Sequence, residues 1–364
     1  MALYMDVHII PDIKARDVAE AHQKDILLQE EHHCKCMTYW IDEERVFCLI
    51  DAPDKEAVIA LHQRSHGLIP NKIIEVNPEV VESFLGRLYD PANAPTTEDG
   101  LKVFSDPSYR IILFITTKDP ALLRYELGIE KATELLNRCT NVIRQNLTEF
   151  DGREVEHPGN GFIASFTVAS KAVSCALSII AAANQSDIQE AALKIGINAG
   201  EPVSKNDNLF GDTIQFARHL CFISGETRIA ISSAVKDLVA KDHFQKPANN
   251  ILCLAPPDEI LLELLFSKLE ENWQNPDFTI SEFWQAMAMS QSQLYRKTVE
   301  LTGMSPNIFL KEFRLARAKE LLTKQRYSIS QVTFDAGFTS PSYFTKCFKK
   351  NYGLLPMDYL DLLH

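Results

Sequence analysis

The stretch ISQVTFDAGFTSPSYFTKCFKKNYGLLP, residues 329–356, carries the clearest periodic pattern of the chain. Within it, Phe344, Cys347 and Phe348 follow the i, i+3, i+4 spacing of one buried helix face. A Gly-Phe pair at 337–338 separates this helix from a shorter one that precedes it. The stretch therefore predicts two helices joined by a tight turn.

A second pair of helices is predicted just before this stretch. It includes SQSQLYRKTVELTG (290–303), and the segment PNIFLKEFRLARAKELL (306–322) links the two pairs. Residues 278–360 are thus predicted to form two helix-turn-helix units, and they resemble the AraC-type DNA-binding domain. The sequence departs from that family at Ala288, where Gly is usual, and at Thr333, where Ala is usual. We expect Ala288 to need a positive φ, which strains a residue with a Cβ atom.

The resemblance implies that each unit places one recognition helix in the major groove of DNA. Gln pairs with adenine and Arg with guanine through two hydrogen bonds, whereas Lys bound to phosphate carries no sequence information. The alternative is that these polar side chains are only the solvated faces of a helical bundle. The expected DNA-contacting residues are Gln291, Ser292, Gln293, Arg296, Lys297, Ser340, Ser342, Tyr343, Lys346, Lys349 and Lys350.

Charge is unevenly distributed along the chain. The 364 residues have a formal net charge of −12, yet residues 274–364 alone carry +3 and the remainder −15. An acidic body with a mildly basic tail indicates that only the tail meets a polyanion. Two Pro-rich connections, 90–100 and 246–259, divide the chain. The predicted domains are 1–88, 105–243 and 258–364.

The middle domain begins with a strand, RIILFIT (110–116), and contains a hairpin, VEHPGNGFIASF (155–166). Together with IGINAGEPV and the helix after it, these segments resemble a class III nucleotidyl cyclase domain over residues 109–235. The resemblance implies an α/β sandwich with two metal ions held between two carboxylates. This chain has other residue types at the positions of the family's active site. The replaced positions are Thr116, Glu156, Asn160, Gln215 and His219.

These replacements lead us to expect no cyclase activity and no nucleotide cofactor. Thr116 and Asn160 stand at the two metal-binding carboxylates, and Mg²⁺ usually needs at least one carboxylate. Glu156 replaces a base-selecting Lys, while Gln215 and His219 replace the Asn and Arg that stabilise the transition state. Two roles stay open for this domain, a pocket that senses a ligand such as a nucleotide and a dimerisation scaffold, and the scaffold is the simpler one.

The first domain has the order β-α-β-β-α-β, which is typical of a ferredoxin-like sandwich. Its segments MDVH, AEAHQKD, YWIDEE and LHQRSHG resemble a small ferredoxin-like family described as nickel-binding, over residues 3–76. Side chains one helical turn apart face the same way, and pairs of imidazoles suit Ni²⁺, Cu²⁺ and Zn²⁺ alike. The alternative is that the histidines only cap helices or lie exposed, and Cys48 is a weaker candidate. The expected metal ligands are His8, His22, Asp25, His62 and His66.

Together these inferences predict an α+β protein with a ferredoxin-like, a cyclase-like and an all-helical domain. We expect a cytoplasmic, homodimeric transcription regulator that binds double-stranded operator DNA and responds to a metal such as nickel or to a small ligand. No apolar run approaches the ~18 residues of a membrane span, and the start lacks a signal-peptide pattern, so no membrane partner is expected. The alternatives are a cyclase with non-standard metal ligands and a metal-binding scaffold protein.

Overall fold

The structure is a computed structural model, and it has the α+β class that the sequence predicts. Asn160 lies outside the described residues. Among those that are described, no helix is long and apolar enough to cross a membrane. The described residues are 2–156, 161–185, 187–205, 207–225, 229–239, 251–324 and 328–363.

The first sheet has four antiparallel strands in the order β2-β3-β1-β4. One face is covered by two helices, and the other packs against the middle of the chain. This arrangement confirms the predicted ferredoxin-like order. The strands are β1 (Ala2–Ile9), β2 (Lys35–Asp42), β3 (Arg45–Ala52) and β4 (Lys72–Glu75), and the helices are α1 (Ala15–Leu28), α2 (Lys55–Ser65) and, after β4, α3 (Pro78–Leu85).

The second sheet has six strands in the order β10-β9-β8-β5-β7-β6. Antiparallel pairing joins β8, β5, β7 and β6, whereas β8, β9 and β10 pair in parallel. These strands are β5 (Arg110–Thr116), β6 (Arg153–Glu156), β7 (Gly161–Phe166), β8 (Lys194–Gly200), β9 (Ile229–Ile231) and β10 (Ile251–Cys253).

Both faces of this sheet are covered, because the central strand β5 carries apolar side chains on each of its two faces. Ile111, Leu113 and Ile115 face one core, while Ile112 and Phe114 face the core shared with the first sheet. The accompanying helices are α4 (Pro120–Leu127), α5 (Ile129–Glu149), α6 (Ala169–Asn184), α7 (Gly211–Ile223) and α8 (Ser233–Leu238).

The last part of the chain is helical and has two apolar cores. The first core continues into α7 through Phe216 and Leu220, and the second includes Ala121 and Leu122 of α4. The helical part is therefore packed directly on the central sheet domain. Its helices are α9 (Pro256–Asn272), α10 (Ile280–Ala286), α11 (Gln291–Thr302), α12 (Pro306–Thr323), α13 (Ile329–Asp335), α14 (Pro341–Tyr352) and α15 (Pro356–Asp361).

Two sequence departures have clear structural consequences in this helical part. Ala288 adopts φ +50° in the turn between α10 and α11, which confirms the expected left-handed conformation. Thr333 is fully buried, and its hydroxyl donates a hydrogen bond to the Ile329 carbonyl oxygen at 2.8 Å. The extra polar atom of Thr333 is thus satisfied, whereas the strain at Ala288 is not relieved.

We predict that Ala288→Gly raises the free energy of unfolding by about 1 kcal/mol, because Gly has no Cβ penalty at positive φ. The matched control is Ala286→Gly, which lies in the last turn of α10 and is also exposed. There the change should lower stability by roughly 0.5–1 kcal/mol. Denaturant unfolding of both variants measures the difference, and equal losses would show that Ala288 is unstrained.

Candidate metal centre and nucleic-acid interface

Strand β1 separates apolar and polar side chains between its two faces. Side chains alternate along a strand, so Leu3, Met5 and Val7 enter the core shared with the central domain. Asp6 and His8 consequently point to the opposite face, below α1 and α2. Both are buried, at 1% and 4% exposure.

His62 lies at the centre of this polar cluster and is fully buried. Its Nε2 is 2.9 Å from Oδ2 of Asp6, on β1. Its Nδ1 is 2.9 Å from Nε2 of His66 and 3.3 Å from Oδ2 of Asp25. His66 in turn lies 3.4 Å from Asp25, whose carboxylate also accepts a hydrogen bond from Ser65. The cluster thus joins β1, α1 and the end of α2.

The protonation of the cluster is governed by its buried carboxylates. Burial raises the pKa of Asp6, but the hydrogen bond from His62 and the charges of His62 and His8 outweigh it and hold the pKa below its usual range. Burial likewise raises the pKa of Asp25, and hydrogen bonds from His62 and His66 bring it below its usual value. Burial lowers the pKa of His62, whereas both carboxylates raise it, to about 10. The cluster is therefore built to hold positive charge between two carboxylates.

Ligand atoms in the cluster form two overlapping groups that share His62. Asp6, His8, Cys48 and His62 make one group, and within it the atoms lie within 4.8 Å of one another. Asp25, His62 and His66 make the other, within the same limit. The buried Nε2 of His8 and Oδ1 of Asp6 are 3.3 Å apart without a hydrogen bond partner among the described residues. A buried imidazole nitrogen and a buried carboxylate oxygen without a hydrogen bond partner are suitable ligand atoms for a divalent transition metal.

The structure brings four of the five predicted ligands into contact and places the fifth differently. His22 faces Asp90, with 3.4 Å between Nε2 and Oδ2, and its ring contacts Tyr39 edge-on. His22 still lines the same cavity of about 270 Å³ that reaches His8 and Asp25. This cavity gives the cluster a path to solvent.

Sequence reasoning missed Asp6 and ranked Cys48 low. Asp6 and His8 are i, i+2 neighbours on a strand, which places them on one face. Asp6 is also the cross-strand partner of Cys48. Burial and the nearby Asp6 raise the pKa of Cys48 well above its usual value. The alternation within MDVH was the sequence signal that could have identified Asp6.

The described cyclase positions are either exposed or in contact with other protein groups. Thr116 at the end of β5 has its hydroxyl 3.3 Å from the sulfur of Cys221. Gln215 and Glu156 are exposed. His219 stacks on Phe266 of α9, with ring centroids 3.8 Å apart. Burial and the neighbouring Arg317 and Arg218 lower the pKa of His219 to about 3, so its imidazole is neutral.

The predicted recognition helices correspond to α11 and α14, and two of their polar residues serve as helix caps. The Gln293 side chain accepts a hydrogen bond from the Ser290 amide at 3.0 Å, and Ser340 accepts one from the Tyr343 amide at 3.3 Å. Lys297 is half-buried. Most of the other predicted contacts are exposed, namely Gln291, Ser292, Arg296, Ser342, Tyr343, Lys346, Lys349 and Lys350.

Comparison with known families identifies the two ends of the chain. Residues 284–361 match a family described as helix-turn-helix domain, and residues 4–76 match one described as nickel responsive protein SCO4226-like. These matches identify a C-terminal helix-turn-helix domain of the AraC type and an N-terminal domain of the SCO4226-like type.

Two curated relatives share parts of the chain. Histidine kinase P4 from Formosa agariphila is 39% identical over 102 residues, which cover 28% of this chain and 7% of that protein. The HTH-type transcriptional activator RhaS from Escherichia coli is 25% identical over 150 residues, which cover 35% of this chain and 54% of that protein. The chain thus spans no more than about half the length of these relatives.

Two solved structures are similar to separate regions. SCO4226 from Streptomyces coelicolor A3(2) is 31% identical and covers 21% of this chain and 95% of its own, with a TM-score of 0.20. A bacterial light-regulated adenylyl cyclase is 14% identical and covers 66% of this chain and 88% of its own, with a TM-score of 0.32.

Proposed function

We propose that this protein is a transcription regulator that binds operator DNA through α11 and α14 and uses a divalent transition metal as its effector. The observation that carries the proposal is the exposure of Arg296 and Lys346 on the two recognition helices of an AraC-type domain. Among the described residues, neither side chain forms an ion pair or a hydrogen bond within the chain. Both are therefore available to base edges and phosphates.

The charge distribution supports DNA binding through the helical tail alone. The rest of the chain carries a net charge of −15 and repels a polyanion, while residues 274–364 carry +3. Lys349 and Lys350 lie in the last turn of α14, are exposed, and suit phosphate contacts. This asymmetry favours one orientation of the chain on DNA.

The metal proposal is supported by the donor set around His62. Three imidazoles and two carboxylates converge there, with Cys48 adjacent, and this set suits Ni²⁺, Zn²⁺ or Cu²⁺. A divalent ion balances the negative charges of both buried carboxylates, whereas a single imidazolium balances only one of them. We select nickel among these metals because residues 4–76 match the family described as nickel responsive protein SCO4226-like. We propose Asp6, His8, Asp25, His62 and His66 as the residues that hold it.

We further propose that the active protein is a homodimer, and the packing of α7 restricts how it forms. The cyclase resemblance implies pairing through the face that carries Gln215 and His219. Here His219 is covered by Phe266 of α9, so the helical tail occupies part of that face. A dimer of this chain therefore uses a different surface or displaces α9.

The central domain is proposed to lack cyclase activity. Thr116 is not anionic and is engaged with Cys221, and the neutral His219 is stacked on an aromatic ring. Thr116 supplies no carboxylate for Mg²⁺, and the neutral His219 supplies no positive charge to balance a triphosphate. We expect no cyclic product from ATP or GTP with Mn²⁺, and formation of such a product by purified protein would contradict this proposal.

We predict that Arg296→Ala weakens binding to the cognate DNA site by about 1–3 kcal/mol and relaxes sequence preference, because a bidentate base contact is lost. Fluorescence anisotropy at fixed salt, with sites selected from random DNA, measures both effects. Arg64→Ala is the control, since Arg64 is exposed on α2, which packs on the first sheet and not on the helical part. An unchanged preference in Arg296→Ala would indicate a scaffold protein.

We predict that Ni²⁺ changes the affinity for cognate DNA by roughly 5- to 150-fold, the usual range of coupling between two sites. His62→Gln should remove this response and weaken Ni²⁺ binding at least ~10-fold, because His62 belongs to both ligand groups. Native mass spectrometry counts bound metal and subunits in the same sample.

Two further variants make the metal experiment decisive. His66→Gln changes a ligand that is less deeply buried than His62 and serves if His62→Gln fails to fold. His33→Asn alters an exposed histidine at φ +54°, a conformation that Asn tolerates, and should leave metal binding unchanged. Equal DNA affinity with and without Ni²⁺ and Zn²⁺ would exclude these metals as effectors.

A further inference from the structure

A cavity of about 680 Å³ lies where the three parts of the chain meet. Its wall is formed by β4 and α3 of the first part, by β6, β7 and α7 of the second, and by α9 and α12 of the third. Its volume falls within the range of small-molecule binding sites, roughly 300–1,000 Å³. The metal cluster around His62 does not line it.

Aromatic rings form much of the wall of this interdomain cavity. Phe222 and Phe266 contact each other edge-on, with centroids 5.6 Å apart, and His219 stacks on Phe266. Phe84 and Phe313 complete this set of rings from α3 and α12. Such a wall favours an apolar body, and the face of the Phe313 ring already carries Arg317, 5.2 Å from its centroid.

The charged residues of the cavity leave a surplus of carboxylates. Arg317 is paired with Glu270 and with Glu320, the latter at 2.9 Å, so its charge is already compensated. Glu75 and Glu156 also line the cavity and are exposed. In the part of the chain that the structure describes, neither of these two carboxylates forms an ion pair.

The remaining basic groups do not reverse this balance. Arg218 lies over the ring of Phe114, 5.1 Å from its centroid, and is the single cation of the wall that lacks a carboxylate partner among the described residues. His219 adds no positive charge, because burial and the two arginines hold its pKa at about 3. The two free carboxylates, Glu75 and Glu156, thus outnumber the one free cation.

We propose that this cavity binds an organic cation with an aromatic or otherwise apolar body. The rings of Phe222 and Phe313 contact the apolar body, and Glu75 and Glu156 attract the positive charge. An anion of the same shape meets net negative charge and is disfavoured.

The position of α12 gives an occupant of the cavity a route to the DNA-binding units. This helix links the two units, and Phe313, Ala316 and Arg317 on it line the cavity. Lys319 on the same helix forms an ion pair with Asp119, the N-cap residue of α4, at 2.9 Å. An occupant therefore touches the helix that fixes both units to the central domain. This regulatory step rests on the proposed function, whereas binding of the cation does not.

The test uses a matched pair of probes, tetraphenylphosphonium and tetraphenylborate, which share size and shape but carry opposite charge. Equilibrium dialysis against the full chain should show one tetraphenylphosphonium bound per chain, at least about tenfold tighter than tetraphenylborate. Equal binding of the two ions, tighter binding of the anion, or no saturable binding of either would overturn the proposal.

Variants then locate the site. Glu75→Gln combined with Glu156→Gln should weaken tetraphenylphosphonium binding roughly five- to thirtyfold, as expected for two exposed ion pairs. Glu79→Gln combined with Glu82→Gln removes the same charge from exposed positions of α3 outside the cavity and should have less than about a twofold effect. Equal effects of the two double variants would overturn the assignment, because they would reflect net charge alone.

A filling substitution provides an independent check. Ala316→Trp places an indole in the cavity from α12 and should abolish binding of tetraphenylphosphonium while thermal unfolding stays cooperative. Full binding by a folded Ala316→Trp variant would place the site elsewhere. DNA affinity measured on the same samples separates the two proposals, since cation binding without DNA binding contradicts only the proposed function.

Discussion

Strand β1, which is apolar on one face and polar on the other, is the element on which the rest of the structure depends. Its period of two sends Leu3, Met5 and Val7 into the core shared with the central sheet, so Asp6 and His8 must face the helices. Shifting the register of this strand by one residue would place Asp6 and His8 in an apolar core and would turn its apolar side chains away from that core. The same register therefore holds the first sheet against the second and builds the candidate metal centre.

The layout of the chain could be predicted from sequence because it depends on periodicity and chain order. The helical stripe around Phe344 and Phe348 and the alternation of strands and helices at the start are local signals. His62 and His66 were predicted to face one way because one helical turn separates them. Asp6 required attention to the strand period as well. Gln293 and Ser340 occupy capping positions, and the Ser-x-x-Gln pattern of the first was a readable cap signal.

Contacts between distant parts of the chain could not be predicted in the same way. The stacking of His219 on Phe266 and the contacts of Asp119 with Lys319 and Tyr359 join segments that no local pattern relates. His22 was grouped with the ligands by its spacing to Asp25 and by the family resemblance, yet its partner is Asp90, which lies in a connection between domains. Tertiary packing decides such contacts, and it also assembles the interdomain cavity from three separate parts of the sequence.

The metal cluster and the interdomain cavity are linked through one continuous core. Apolar residues of β1 contact the same cluster that contains Phe84, which lines the cavity, and Phe114, which lies under Arg218. Close-packed cores transmit small displacements because they contain little free volume. If metal and organic cation both shift the position of α12, thermodynamic linkage requires each to change the affinity for the other by the same factor. This core and the helices anchored by Asp119 are two packed routes along which such a coupling can act.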